Sequence, residues 1–211
     1  MKLLAVSDRE SWSLWEYYDP SKVKGVELIL SCGDLKKDYL EFLLTIVNVP
    51  LLYVNGNHDA SYVTSPPEGC DSLEDRILTV KGLKIAGLGG SMRYKEGPYM
   101  YTEKEMAKRV KALKKKIIKA GGIDILVTHA PLKGFQDRED LAHQGFGCLD
   151  ELLYEVKIPY LFYGHVHSEY GHFERVIRHP SGTLLINACE TCFLDTERKI
   201  VMEQNRELTS Y

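Results

Sequence analysis

The 211 residues carry 27 Lys and Arg against 30 Asp and Glu, a formal charge of -3, with 44% hydrophobic and 27% charged residues. That composition excludes disordered, collagen-like and low-complexity chains, and the length suits one folded domain over 1–211. The charge balance lacks the basic excess of a dedicated nucleic-acid clamp, so a phosphate-bearing ligand would need local positive charge such as metal ions.

In chain order, the apolar run that starts at Lys2 stops at Ser7-Asp8, too early for a signal-peptide core, which predicts a strand over 2–6 and a cytoplasmic location. Runs at 27–31 and 51–55 have the same form, continuous apolar residues ending in polar ones or glycine, and read as buried parallel strands. Between them Tyr39, Phe42, Leu43, Ile46 and Val47 share one helical face, stopped by Pro50. The longest greasy stretch, 43–54, is broken by Asn48 and Pro50 and falls short of the roughly 18 residues of a membrane span, so no membrane partner is expected. A loop at 65–69 precedes a strand at 83–88. A helix then starts at Thr102, with Glu105 completing a capping box, carries Met106, Val110, Leu113 and Ile117 on one face, and ends at Gly121-Gly122. Further strands are expected at 123–128, 160–163, 173–178, 184–187 and 199–202, with a helix over 148–156. The fold class is α/β.

Metal-competent side chains fall at the ends of these strands. Asp8 and Glu10 follow the first, Gly33-Asp34 the second and Gly56-Asn57-His58-Asp59 the third; His129 follows 123–128, and Gly164-His165-Val166-His167 follows 160–163. The carboxyl ends of parallel strands share one sheet edge, so groups distant in sequence can converge there. Carboxylates, imidazoles and an amide oxygen suit divalent ions, and there are enough of them for two ions with a bridging carboxylate. Glycines before Asp34, Asn57 and His165 permit sharp turns that aim these side chains.

The order Asp8-x-Glu10, Gly33-Asp34, Gly56-Asn57-His58-Asp59, His129, Gly164-His165-x-His167 resembles the calcineurin-like metallophosphoesterase superfamily, and the segment Thr128-His129-Ala130-Pro131 through Leu141-Ala142-His143-Gln144-Gly145-Phe146 resembles a bacterial branch of phosphoesterases. The resemblance implies two β-sheets packed face to face between helical layers, a four-layer αββα sandwich. It implies a dinuclear centre in which Asp8, Glu10, Asp34 and His167 hold one ion, Asp34, Asn57, His129 and His165 hold the other, and Asp34 bridges. It also implies hydrolysis of a phosphate ester by a metal-bound hydroxide, with His58 as the general acid and Asp59 as its orienting neighbour. The alternative is an inactive protein-binding module of the same fold.

The family usually places His where this chain has Glu10. With Glu10 as a ligand, the centre would be close to neutral, favouring Mn²⁺, with Fe²⁺, Mg²⁺ or Zn²⁺ as alternatives, and favouring singly charged diesters over monoesters. Arg93 and His143 are candidates for touching phosphate. The lysines of the 102–121 helix read as a solvated face rather than a nucleic-acid surface, and nucleic acid is not the favoured partner. Cys189-x-x-Cys192 lacks a second pair and reads as structural; Trp12, Trp15, Tyr17 and Tyr18 read as core or rim packing, with a cleft wall or a base-stacking platform as the other option.

Overall fold

The computed structural model describes residues 1–167, 174–203 and 206–210. The chain runs through β1 (Lys2–Val6), β2 (Val26–Ser31), α1 (Lys37–Val47), β3 (Leu51–Tyr53), β4 (Asp71–Ser72), β5 (Ile77–Val80), β6 (Leu83–Leu88), β7 (Ser91–Met92) and β8 (Met100–Tyr101). It continues through α2 (Glu103–Lys119), β9 (Ile125–Thr128), α3 (Gly147–Glu155), β10 (Tyr160–Tyr163), β11 (Val176–Arg178), β12 (Leu184–Asn187), β13 (Cys192–Asp195), β14 (Ile200–Glu203) and β15 (Arg206–Ser210).

Two large sheets result. One has the order β15-β14-β13-β1-β2-β3-β4 and the other β11-β12-β10-β9-β6-β5, with β7 and β8 forming a small ribbon. The alternation of strand side chains explains how they stack. In β1, Leu3 and Ala5 face the second sheet while Leu4 and Val6 face α1; in β10, Phe162 faces the first sheet while Leu161 and Tyr163 face α2 and α3. Each central strand is apolar on both faces because both faces are covered. Three apolar layers follow: α1 against the first sheet, sheet against sheet, and the second sheet against α2 and α3. This is the four-layer αββα sandwich.

Local chemistry sets the helix limits. Thr102 accepts the Glu105 amide and Glu105 caps the Thr102 amide, closing the capping box, while Met106, Val110, Leu113 and Ile117 form the buried stripe. Past the end of α2, Gly121 takes φ +74° and the Gly122 amide reaches back to the Ile117 carbonyl. In α1, Asn48 caps in the left-handed region at φ 53° two residues before Pro50. Among the described residues no helix is long and apolar enough to cross a membrane.

Several expectations shift. The strands expected at 51–55 and 123–128 are shorter, Leu51–Tyr53 and Ile125–Thr128, and 173–178 narrows to Val176–Arg178, with Phe173 outside the described residues. The strands β4, β5, β7, β8, β13 and β15 were not anticipated. Most are short or sit at sheet edges, but β13 is central, paired with β1 from Lys2↔Asp195 to Ala5↔Cys192. All five cysteines are free, and Cys192 lies buried in the inter-sheet core, its thiol pushed up to about 12 by burial. That is a packing role.

Candidate metal centre

The strands β1, β2 and β3 run parallel, as do β6, β9, β10 and β12, so their carboxyl ends open onto one edge of the sandwich. The loops beyond them are tied across the two sheets. His129 Nδ1 lies 2.7 Å from the Cys32 carbonyl, and the His165 amide donates to both Asp8 carboxylate oxygens at 2.9 and 3.0 Å. Asp8, Asp34 and His165 all occupy the left-handed region, at φ 64°, 59° and 69°. Such a conformation costs an L-residue roughly 1 kcal/mol or more, and three in one site signal a backbone bent to aim side chains.

The glycines act differently from the expectation of sharp turns. Of the three before Asp34, Asn57 and His165, only Gly33 has a positive φ. Gly56 and Gly164 supply space: a Cβ at Gly56 would lie 2.1 Å from Asp34 Oδ1, and one at Gly164 would lie 2.0 Å from Ser7 Oγ and 2.6 Å from Asp8 Oδ2.

Asp34 sits at the middle of the cluster. Its Oδ1 accepts the His58 amide at 2.7 Å, and its Oδ2 lies 3.3 Å from His129 Nε2 and 4.0 Å from His58 Nε2. Ligand atoms of Asp34, His129 and His165 fall within 4.8 Å of one another. Asn57 Oδ1 joins them 3.0 Å from His129 Nε2, its amide nitrogen turned toward the Tyr94 hydroxyl at 3.4 Å. His167 Nε2 lies 3.5 Å from Asp8 Oδ1. A cavity of about 370 Å³ is lined by Asp8, Asp34, Asn57, His58, Tyr94, His143, His165 and His167.

The donors fit divalent ions. With its Nδ1 proton given to the Cys32 carbonyl, His129 turns the lone pair of Nε2 toward Asn57 Oδ1 and Asp34 Oδ2. Three acceptors facing one another need a cation or a proton between them. Without metal, the proton serves. Burial alone would lower the His129 imidazole, but the Asp34 carboxylate outweighs it and pushes it up to about 9. Burial would likewise raise Asp34, yet His129 and the hydrogen bonds from His129 and His58 hold it at about 2. His165 is pushed down to about 4 by burial and by the charge of His129, which keeps it in the neutral form that ligates. Its Nε2 lies 2.7 Å from the Ala142 carbonyl, leaving Nδ1 for an ion.

Three expected residues have other partners. Glu10 does not line the cavity of His167: its Oε1 lies 3.5 Å from Lys36 Nζ, in an adjoining cavity that it shares with Asp8, Arg9, Trp12, Asp34, Leu35 and Glu190. Arg93 lines neither cavity, because its guanidinium binds the Met100 carbonyl and Glu105 at the head of α2. Asp59 orients backbone instead of the His58 ring: its Oδ2 accepts the Gly56 and Asp34 amides at 2.7 and 2.9 Å, clamping the two loops together. Burial, and then the charge of Asp34, pushes the Asp59 carboxyl up to about 7.

Other participants had no sequence signal. Tyr94 orients Asn57 from the loop after β7, and Glu190, at φ 64°, reaches the adjoining cavity from the segment before β13. Behind the third loop, Arg109 of α2 binds Glu74, Asp75 and the Gly89 carbonyl, while Glu74 accepts the Asn55 amide at 2.7 Å.

Known proteins share this fold. The fold is shared with TT1561 of Thermus thermophilus, at a TM-score of 0.62 and 16% identity over 95% of this chain and 96% of that one. It is shared also with the 5'-nucleotidase of Candida albicans, at 0.54 and 12% over 91% and 47%. In sequence the chain is 29% identical over 170 residues to the lariat debranching enzyme of Schizosaccharomyces pombe, covering 62% of this chain and 35% of that protein. It thus spans about a third of that relative's length. The family model of the calcineurin-like phosphoesterase superfamily domain matches residues 1–203. With that match over nearly its whole length, the chain belongs to the calcineurin-like phosphoesterase superfamily.

Proposed function

We propose that the protein hydrolyses phosphate diesters in preference to monoesters, using two divalent ions, Mn²⁺ first and Fe²⁺, Mg²⁺ or Zn²⁺ as alternatives. The observation that carries this reading is the convergence of Asp34 Oδ2, Asn57 Oδ1 and His129 Nε2, beside His165, as acceptors that face one another. Asp34, Asn57, His129 and His165 would hold one ion, and Asp8, Asp34 and His167 the other. When bound, the ions neutralise phosphoryl oxygens and activate a water for attack on phosphorus.

The residues around them do the rest. His58 lines the cavity with most of its ring in solvent, and would pass a proton to the leaving oxygen. His143, in the same cavity with its ring centroid 5.3 Å from that of His165, would contact phosphate oxygens. The preference for diesters draws on the adjoining cavity. Its lining carries the carboxylates of Asp8, Glu10, Asp34 and Glu190 against the cations Arg9 and Lys36, an acidic balance that disfavours a dianionic monoester, while a diester brings a single charge and a second substituent to occupy the space.

Metal content after loading with Mn²⁺, measured with hydrolysis of matched aryl mono- and diesters, tests the proposal. It expects two bound ions and a higher kcat/KM for the diester. A faster monoester overturns the preference. Protein that holds no metal and cleaves neither ester is instead the non-catalytic binding module.

A further inference from the structure

The four aromatics after β1 divide into two pairs. Trp15 packs edge-on against Tyr39 and Phe42 of α1, at 5.5 and 4.7 Å between centroids, and Tyr18 also meets Phe42. Trp12 and Tyr17 turn outward, 64% and 72% exposed. Their rings stack at 6.4 Å with only 20° between planes, and the Tyr17 amide donates to the Trp12 carbonyl at 2.8 Å. A tryptophan left this exposed forgoes a large gain from burial. It is also held in place, because Ser11 beside it is fully buried, with its amide on the Tyr39 hydroxyl.

Trp12 lines the cavity of about 470 Å³ that shares Asp8 and Asp34 with the metal centre, and Arg9 and Lys36 line it too. One space therefore joins an exposed aromatic face, the cations Arg9 and Lys36, the carboxylates of Glu10, 3.5 Å from Lys36, and of Glu190, and the carboxylates proposed to hold the ions. From this juxtaposition we infer that Trp12, backed by Tyr17, stacks a nucleobase on one arm of the scissile diester, with Arg9 and Lys36 beside the sugar-phosphate. The substrate class is a nucleotide diester; the inference rests on the diesterase reading above. Stacking supplies the flat recognition surface, and the cations suit the anionic linkage. A short substrate fits better than a long strand: none of the lysines of α2 lines either cavity, and α2 packs on the outer face of the second sheet.

The test uses Mn²⁺-loaded protein and two diesters with the same leaving group, the p-nitrophenyl ester of thymidine 5'-phosphate and methyl p-nitrophenyl phosphate. Wild type is expected to prefer the nucleoside ester. Trp12→Ala should cut that preference by roughly 5-fold or more, chiefly through KM, with Trp12→Phe keeping most of it. An equal rate on both esters in wild type, or a preference untouched in Trp12→Ala, overturns the inference. An equal fall on both esters does so as well, since it marks a packing role. Calorimetric titration with the methyl ester of thymidine 5'-phosphate, a singly charged diester with a poor leaving group, separates this inference from the catalytic one. Binding by wild type that weakens in Trp12→Ala supports the stacking site even if neither ester is cleaved. Absent or unchanged binding overturns it and leaves the Trp12 face to some other partner.

Discussion

With 67% of its side chain exposed, His58 differs from Asp8, Asp34 and His129, which are at most 9% exposed. Buried groups aimed at one another suit ion binding, whereas an exposed imidazole at the cavity wall suits exchange of protons with a leaving group. His58→Ala is therefore expected to keep its metal and lose about 10² to 10⁴-fold in kcat on an ester with a poor leaving group, and less on an activated phenol. Equal losses on both would remove the proton-transfer role. Glu10 leads to the opposite kind of expectation. Because its carboxylate faces Lys36, Glu10→Gln should leave the bound-metal count of the purified protein unchanged. Loss of an ion would return Glu10 to the ligand set.

At the scale of elements, the loops rely on close backbone approach. The loop after β10 presses against the end of β1 at Gly164, where a methyl group would strike Ser7 and Asp8. Gly164→Ala should push Asp8 away from His167 and cost the ion they are proposed to share, while circular dichroism reports an intact fold. A variant with full metal content would show that the loop can yield. Much of this layer was legible in the residues: the Thr102 and Glu105 box, the apolar stripe of α2 and the polar groups ending β1, β2, β9 and β10 follow from spacing alone. The central strand β13 escaped, because Cys192-Phe193-Leu194-Asp195 is brief and is defined by pairing with residues 2–5 at the other end of the chain. The place of Glu10 escaped too, since its partner Lys36 comes from the loop after β2 and no local pattern pairs the two. Arg93 lay in a loop whose partners, Met100 and Glu105, are fixed only once β7 and β8 pair.

For the whole molecule, the proposed ligands come from both sheets: Asp8, Asp34 and Asn57 from the first, and His129, His165 and His167 from the second. Ions held between them would join the two halves of the sandwich, and a ligand bound only by the folded state stabilises it. At free metal near one hundred times its dissociation constant, the gain is about 2.7 kcal/mol, or roughly 5 to 10 °C in Tm for a chain of this size. Thermal melts with Mn²⁺ and with a chelator should differ by that much in wild type and hardly at all in Asp34→Asn. A chelator-insensitive wild type would mean that the sheets hold together without help from the site.

The pairing of β1 with β13 also bears on how the protein is made. The strand β1 lies between β2 and β13, with Lys2 opposite Asp195. On the ribosome one edge of β1 must wait for β13, and an unpaired apolar edge can join the wrong neighbour in the meantime. Every proposed metal-binding side chain, from Asp8 to His167, has been translated before β13 exists to complete the sheet that carries three of them. Nascent chains can thus meet metal while the first sheet is still half-built, before 192–195 cover the open edge of β1.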